Sequence, residues 1–288
     1  MLAGAIFPQL EIGNDPLVIR DYAQTAEGLG YNHILAYDHV LGAGTANRPG
    51  WNRYTDKDPF HEPFVLFGYL AGFTRRIQFT TGVIVLPQRQ TALVAKQATE
   101  VDVLSGGRMR LGVGIGWNQV EYEALGQDFH TRGKRIEEQI RLLRALFGQE
   151  LVTFEGRWDQ VREAGLNPLP LRRMIPIWIG GTADVVLQRV AALGDGWFPQ
   201  MRPEPEGRAA VEKLHAAARA LGRDPATIGI EARFTYNGQN LDDLVPTARA
   251  WQDIGATHIG VNTMGAKLES PAAHIAMLGR LKELLDSV

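Results

Sequence analysis

Eight short apolar runs rich in β-branched residues alternate with eight longer amphipathic stretches along this 288-residue chain. The runs are Ala3–Phe7, His33–Tyr37, Ile77–Leu86, Arg110–Ile115, Ile175–Gly180, Gly196–Pro199, Ile228–Phe234 and His258–Val261. A near-continuous apolar run such as Ile77–Leu86 is what a parallel strand buried on both faces requires. Between and after the runs, the periodicity predicts a helix from Asp15-Pro16 to Gly28 and others over His61–Phe73 and Thr91–Leu104. Glu137–Phe147 closes a longer helical segment, and Ala183–Leu193, Arg208–Leu221, Leu241–Asp253 and Ala272–Leu285 complete the set. Asp15 as N-cap with Pro16 behind it is a strong start signal, and Ser105-Gly106-Gly107 a strong stop. Repeated βα units give parallel strands with right-handed crossovers, and eight of them close. The expected fold is therefore α/β, a (β/α)8 TIM barrel. An open doubly wound sheet would carry a glycine-rich turn after its first strand, where this chain has Pro8-Gln9-Leu10-Glu11.

Two stretches interrupt the rhythm. Leu41–Asp58 carries Gly, Pro, Asn and aromatics, and reads as a long loop after strand two, on the face where barrels place their active sites. Val152-Thr153-Phe154-Glu155-Gly156-Arg157-Trp158 reads as a small hairpin inserted before strand five. With no internal repeat, low-complexity tract or linker, residues 1–288 are expected to form one domain.

Composition removes several classes of function. The formal net charge is −2 with the signs well mixed, so there is no basic stripe for nucleic acid. The absence of cysteine excludes disulfides, thiolate metal sites and a cysteine nucleophile. No G-x-S-x-G turn marks a hydrolase, and no His, Asp and Glu set has metal-site spacing, so no metal is expected. The start Met1-Leu2-Ala3-Gly4 lacks the basic opening of a signal peptide, no apolar run spans a membrane, and a cytoplasmic enzyme is expected.

In a barrel the ends of the strands carry the chemistry. Strand two ends in Asp38-His39: either a carboxylate and imidazole poised to orient a ring and move a proton, or a pair that ties down the loop. Gly82, within Thr81–Pro87, reads by itself as a packing glycine, though glycine in a buried strand also marks bulges and ligand contacts. Gly112, Gly114 and Gly116 lack the spacing of a dinucleotide fingerprint; they let a flat ring lie on backbone amides beside Asn118, or form a flexible loop. Gly180-Gly181-Thr182 enters a helix, which suits a phosphate or a tight turn. Trp178, Trp197 and Phe198 read as core residues.

Taken together, Tyr37-Asp38-His39-Val40, Thr81–Pro87, Leu104–Arg108 with Gly112–Asn118 and Glu121-Tyr122, and Ile177–Gly181 with Leu193–Trp197 resemble the luciferase-like monooxygenase superfamily, in its coenzyme F420 branch. The resemblance implies a homodimeric oxidoreductase that moves a hydride between the deazaflavin C5 and a small organic substrate. It implies a non-proline cis peptide at Gly82-Val83 behind the ring, and contacts to cofactor and substrate from Asp38 and His39, with His39 or a water it orients handling the proton. It also implies a ring-edge hydrogen bond from Asn118 and a phosphate loop at Gly180-Gly181-Thr182. Sugar-phosphate dehydrogenases of that branch carry glutamate where this chain has Ile115, which points to a more apolar substrate. An FMN-dependent monooxygenase using molecular oxygen and a non-catalytic flavin-binding barrel are the alternatives.

Overall fold

The computed structural model describes residues 1–288. In chain order the strands are β1 (Leu2–Ile6), β2 (His33–Ala36), β3 (Gln78–Thr81), β4 (Ile84–Val85), β5 (Met109–Gly114), β6 (Val152–Glu155), β7 (Gln160–Ala164), β8 (Ile177–Gly180), β9 (Gly196–Phe198), β10 (Gly229–Thr235) and β11 (His258–Asn262). The helices are α1 (Pro16–Gly28), α2 (Pro63–Ala71), α3 (Thr91–Ser105), α4 (Gln119–Ala124), α5 (Arg132–Gly148), α6 (Asp184–Leu193), α7 (Arg208–Ala220), α8 (Leu244–Asp253) and α9 (Pro271–Leu285). All of the strands except β6 and β7 lie in one parallel sheet ordered β3-β2-β1-β11-β10-β9-β8-β5-β4, and a further β3–β5 pairing closes it. The (β/α)8 barrel expected from the alternation is the fold observed. No helix is long and apolar enough to cross a membrane.

The third barrel strand is the one place where closure is not made by a continuous run. The sequence predicts one strand over Ile77–Leu86; the structure divides it at a cis Gly82–Val83 peptide into β3 and β4. Both pieces still pair with β5, Phe79 opposite Met109 and Ile84 opposite Val113, so the break sets the chain off without opening the barrel.

Local signals account for the element ends. Asp15 caps α1 by accepting from the Leu17 amide, with Pro16 behind it, an arrangement that stabilises a helix start by about 1 kcal/mol. Gly106 ends α3 in the left-handed region at φ 74°, which a β-carbon would disfavour. The inserted hairpin is β6–β7, and Glu138 of α5 holds its turn by accepting from the amides of Arg157, Trp158 and Asp159.

Alternation divides the strand side chains into two sets. Ile34, Phe79, Val113, Ile179, Ile230 and Ile259 face the helices within a cluster of 63 buried residues. Ile6, Leu35, Trp178, Phe198 and Met264 form a second cluster inside the barrel. Trp197 and Phe198 are neighbours in β9 and fall in different clusters for this reason. Below the inner cluster lies a buried polar layer: His33 Nε2 is 2.8 Å from Glu231 Oε1, and Arg110 Nη2 donates to Glu231 Oε2 at 2.6 Å. Arg110 also stacks 4.3 Å from the Trp178 ring. Small neighbours make this layer possible. A β-carbon on Gly4 would land in the His33 ring, and one on Gly196 or Gly229 in the Trp178 indole.

Candidate active site

The strands end at a cleft of about 420 Å³, within the size range of cofactor and small-molecule pockets. Its floor is backbone and small side chains. Gly82 and Val83 lie in the middle, with Gly114 on one side and Gly180-Gly181 on another. Val83 packs so closely that a β-carbon on Gly114 would come within 2.6 Å of it, and one on Gly180 within 3.1 Å. Side chains at those two positions would lift the floor into the cleft. A flat ring system resting on this surface would meet bare amides and Val83, so the residues present fit a flavin or deazaflavin.

The wall over the floor comes from β2 and the loop that follows it. Asp38 and His39 both reach the cleft but do not act as a pair, because residues adjacent in an extended chain point apart. Asp38 is 4% exposed and committed to the protein: Oδ2 accepts from the Val85 amide at 3.0 Å and Oδ1 from Arg89 Nη2 at 2.7 Å. The carboxylate on His39 belongs instead to Glu121 of α4, with Oε1 3.1 Å from Nδ1. This corrects the expectation of an Asp38–His39 unit: the chemical pair is His39–Glu121, and Asp38 anchors the divided third strand.

Glu121 is held firmly. Oε1 also accepts from the Val40 amide at 2.9 Å and the Leu41 amide at 3.3 Å, and Oε2 from Gln88 Nε2 at 3.2 Å. Burial alone would raise its pKa, but the hydrogen bond and charge of His39, together with Gln88 and the Leu41 amide, outweigh it and hold the carboxyl below its ordinary value. An ionised Glu121 accepts only, so Nδ1 of His39 is the donor and Nε2 is the ring nitrogen left for chemistry. Three aromatic rings fix the plane of the imidazole: Phe60 at 4.7 Å, Tyr54 at 5.0 Å and Trp117 at 5.6 Å between centroids. Tyr54 comes from the long loop, which a short bridge between Ala43 and Thr55 folds back over the strand end, and Phe60 from the segment between that loop and α2.

The expected site residues are partly gathered here. Asp38, His39, Gly82, Val83, Gly114, Gly180 and Gly181 all line the cleft. Asn118 does not; it is 2% exposed, caps α4 by accepting from the Val120 amide at 3.1 Å, and offers its amide to the Leu41 carbonyl at 3.4 Å. Its place is beneath the loop and not at a ring edge, a second correction, because the chain turns into α4 at that point. Thr182 is exposed at the rim and does not line the cleft, so of the expected phosphate loop only Gly180 and Gly181 face it. Beyond them α6 starts without a side-chain cap, and the Asp184 carboxylate in its first turn is paired with Lys213 at 2.9 Å. Arg53, Tyr54, Gln200 and Arg233 line the cleft without having been singled out by the sequence, and Trp117 and Glu121, which belong to the stretches that carry the resemblance, line it without having been given a role. For Arg233 a signal existed. Glu231, Arg233 and Thr235 alternate with Ile230, Ala232 and Phe234, a period-two polar set that marks one face of a strand. No three His, Asp or Glu groups converge to hold a metal ion.

Comparison with known proteins agrees with this geometry. Residues 6–274 match the luciferase-like monooxygenase family. An uncharacterised Mycobacterium tuberculosis protein is 39% identical over 182 residues, 61% of this chain and 62% of that one. Two enzymes are each 28% identical: the F420-dependent hydroxymycolic acid dehydrogenase of M. tuberculosis over 80% of this chain and 61% of its own, and the FMNH2-dependent dimethylsulfone monooxygenase of Pseudomonas putida over 74% and 56%. The chain thus aligns with about three fifths of the length of these relatives. Among solved structures, an F420-dependent secondary alcohol dehydrogenase in complex with an F420-acetone adduct superposes with a TM-score of 0.81 at 16% identity, covering 100% of this chain and 98% of that one. With its barrel, its cleft and a match running over nearly its whole length, the chain belongs to the luciferase-like monooxygenase family, whose enzymes are oxidoreductases that work with F420 or FMN.

Proposed function

We propose that this protein is an F420-dependent oxidoreductase that transfers a hydride between the deazaflavin and a small organic substrate. The observation that carries the reading is the His39–Glu121 dyad at the cleft wall, above a floor of bare backbone. Hydride transfer to or from a C–O or C=C bond must be matched by one proton, and the dyad is built to handle it. When bound, the deazaflavin supplies a two-electron hydride carrier.

The chain's own residues do the rest. Gly82, Val83, Gly114 and Gly180 would provide the surface for the ring. Glu121 keeps His39 in one tautomer and one orientation, so that Nε2 accepts or donates the proton at the substrate oxygen or carbon, a contribution of about 10²–10⁴-fold for a positioned acid–base group. Ile115, Trp117 and Tyr54 give the substrate side an apolar and aromatic wall, and they also exclude water from the reacting atoms.

The reading is tested by incubating the protein anaerobically with reduced F420 and a panel of unsaturated carbonyl compounds, and aerobically with reduced FMN. Loss of reduced F420 that depends on both protein and acceptor is the expected result. Protein-dependent oxygenation of an organic substrate with reduced FMN, beyond the spontaneous oxidation of reduced FMN in air, and no F420 turnover would contradict it and make the protein a monooxygenase.

A further inference from the structure

Five charged or titratable groups other than tyrosine line the cleft, and they divide unequally. Asp38 is neutralised by Arg89 and by the Val85 amide. Glu121 is used on both oxygens by His39, Gln88 and two loop amides. The two arginines have no such partners. Arg53, from the loop after β2, lies with its guanidinium 5.4 Å from the Trp117 ring centroid, a contact that leaves its N–H edges free. Arg233, on the inner face of β10, has one long hydrogen bond, from Nη1 to the Tyr37 hydroxyl at 3.3 Å, and reaches up into the cleft past Gly260, its side-chain-free register partner. Neither takes part in any of the ion pairs that engage seven other arginines of the chain.

Both arginines serve one place. Burial raises the Tyr54 hydroxyl above its ordinary pKa and nearby Tyr37 and Asp58 add to that, while Arg233 and Arg53 both oppose it, so both positive charges lie near the ring that packs against His39. The two guanidiniums, beside aromatic rings and engaged in no ion pair, are the cationic groups of the cleft that remain free to hold an anion. Arginine's planar fork is suited to a carboxylate.

We infer that the substrate is an amphipathic acid whose carboxylate is held by Arg53 and Arg233, while its flat apolar part lies along Trp117 and Tyr54 toward His39. The inference rests on the proposed reading of the same cleft and sharpens it. The apolar wall that Ile115 helps to form takes the body of the ligand, and the arginines take its head. The bare amides near Gly181 remain for the cofactor's own phosphate.

Cinnamate and methyl cinnamate are suitable probes, being a flat unsaturated acid and its uncharged ester. Calorimetric titration into the F420-loaded protein should show cinnamate binding about ten-fold tighter or more than the ester, the scale of a charge-assisted hydrogen bond set. In the Arg53→Gln/Arg233→Gln double variant the two should bind within about two-fold of each other, with the Arg→Lys double variant recovering part of the difference. In a parallel arm, the ratio of F420 affinity to that of deazariboflavin, which lacks the phosphate and acidic tail, should be the same in wild type and double variant. Equal binding of acid and ester by the wild type, or a preference that survives in the double variant, would overturn the inference. So would loss of the F420 preference in the double variant, which would assign the arginines to the cofactor. If the wild type does not bind F420, the proposed function fails, and the acid–ester comparison is then made on the FMN-loaded or cofactor-free protein, where the same preference decides the inference.

Discussion

Two histidine–glutamate pairs stand at different depths of this barrel. His33–Glu231 lies in the interior at 2.8 Å, and His39–Glu121 lies at the mouth at 3.1 Å. The histidines are six residues apart on one strand and its extension, roughly 20 Å along an extended chain. The lower pair is sealed: His33 and Glu231 side chains are 1% and 2% exposed, Arg110 completes the charge balance, and glycines on neighbouring strands leave no space for a ligand. The upper pair has no third charged partner on the imidazole, has aromatic rings at its sides, and keeps one ring nitrogen for the cleft. The same two residue types thus do structural work where both side chains are sealed in the interior, and can do chemistry where the imidazole borders a cavity. A short distance between imidazole and carboxylate does not distinguish the two. The third partner and the open side do.

The contrast can be broken by removing one acid from each pair. Glu231→Ala leaves the Arg110 guanidinium buried without its counter-ion, and should lower the unfolding free energy by about 3–5 kcal/mol in a urea titration. At the mouth the effect should fall on rate. His39→Ala should reduce turnover of reduced F420 by about 10²–10³-fold with cofactor affinity and thermal midpoint little changed. Full turnover in that variant, with cofactor bound, would remove His39 from the mechanism. The floor gives a third, smaller effect. Gly114→Ala puts a methyl group against Val83 and should weaken cofactor binding about ten-fold in a fluorescence titration, through a strain of about 1–3 kcal/mol.

Acid should act on the lower layer before any change at the mouth matters for stability. Burial holds His33 and His258 below the ordinary imidazole pKa, His258 to about 3. Burial would raise Glu231, but His33 and Arg110 outweigh it and hold it well below the usual carboxylate range. In each case the unfolded chain takes up protons that the folded chain refuses, so stability rises with pH and is lost as pH falls. The histidine contribution is complete above about pH 6.5 and declines below it, and the Glu231 contribution declines below about pH 4. Unfolding midpoints measured from pH 8 to pH 4 should fall steadily from about pH 6.5; a flat profile to pH 4 would show that the buried histidines take up protons in the fold as readily as in the unfolded chain.

Much of this was legible in the sequence, for physical reasons that differ between elements. The βα alternation fixes the barrel because strand and helix periods are local. Asp15-Pro16 and Gly106 mark element ends for the same reason. The Gly82-Val83 break, the glycines of the floor and His39 itself were readable through resemblance. Glu121 as the partner of His39 was not, because 82 residues separate them and only barrel closure brings α4 over the end of β2. Asp38 directly precedes His39 in sequence yet is not its partner, because adjacency in sequence is not adjacency in space for an extended chain. The resemblance implies a ring-edge contact from Asn118, but its side-chain oxygen caps α4, a common use of asparagine at such a position. Arg53 and Arg233 come from a loop and a strand on different sides of the mouth, and only the fold shows that they face one cleft.

The claim on which the functional account rests is that this cleft is shaped for F420. Titration of the purified protein with F420 and with FMN under matched conditions, followed by fluorescence, tests it most directly. The account predicts saturable binding of F420 at about micromolar concentration or below, with FMN binding weaker by about ten-fold or more. Tighter binding of FMN would contradict the account and place the chain among the oxygen-using members of its family.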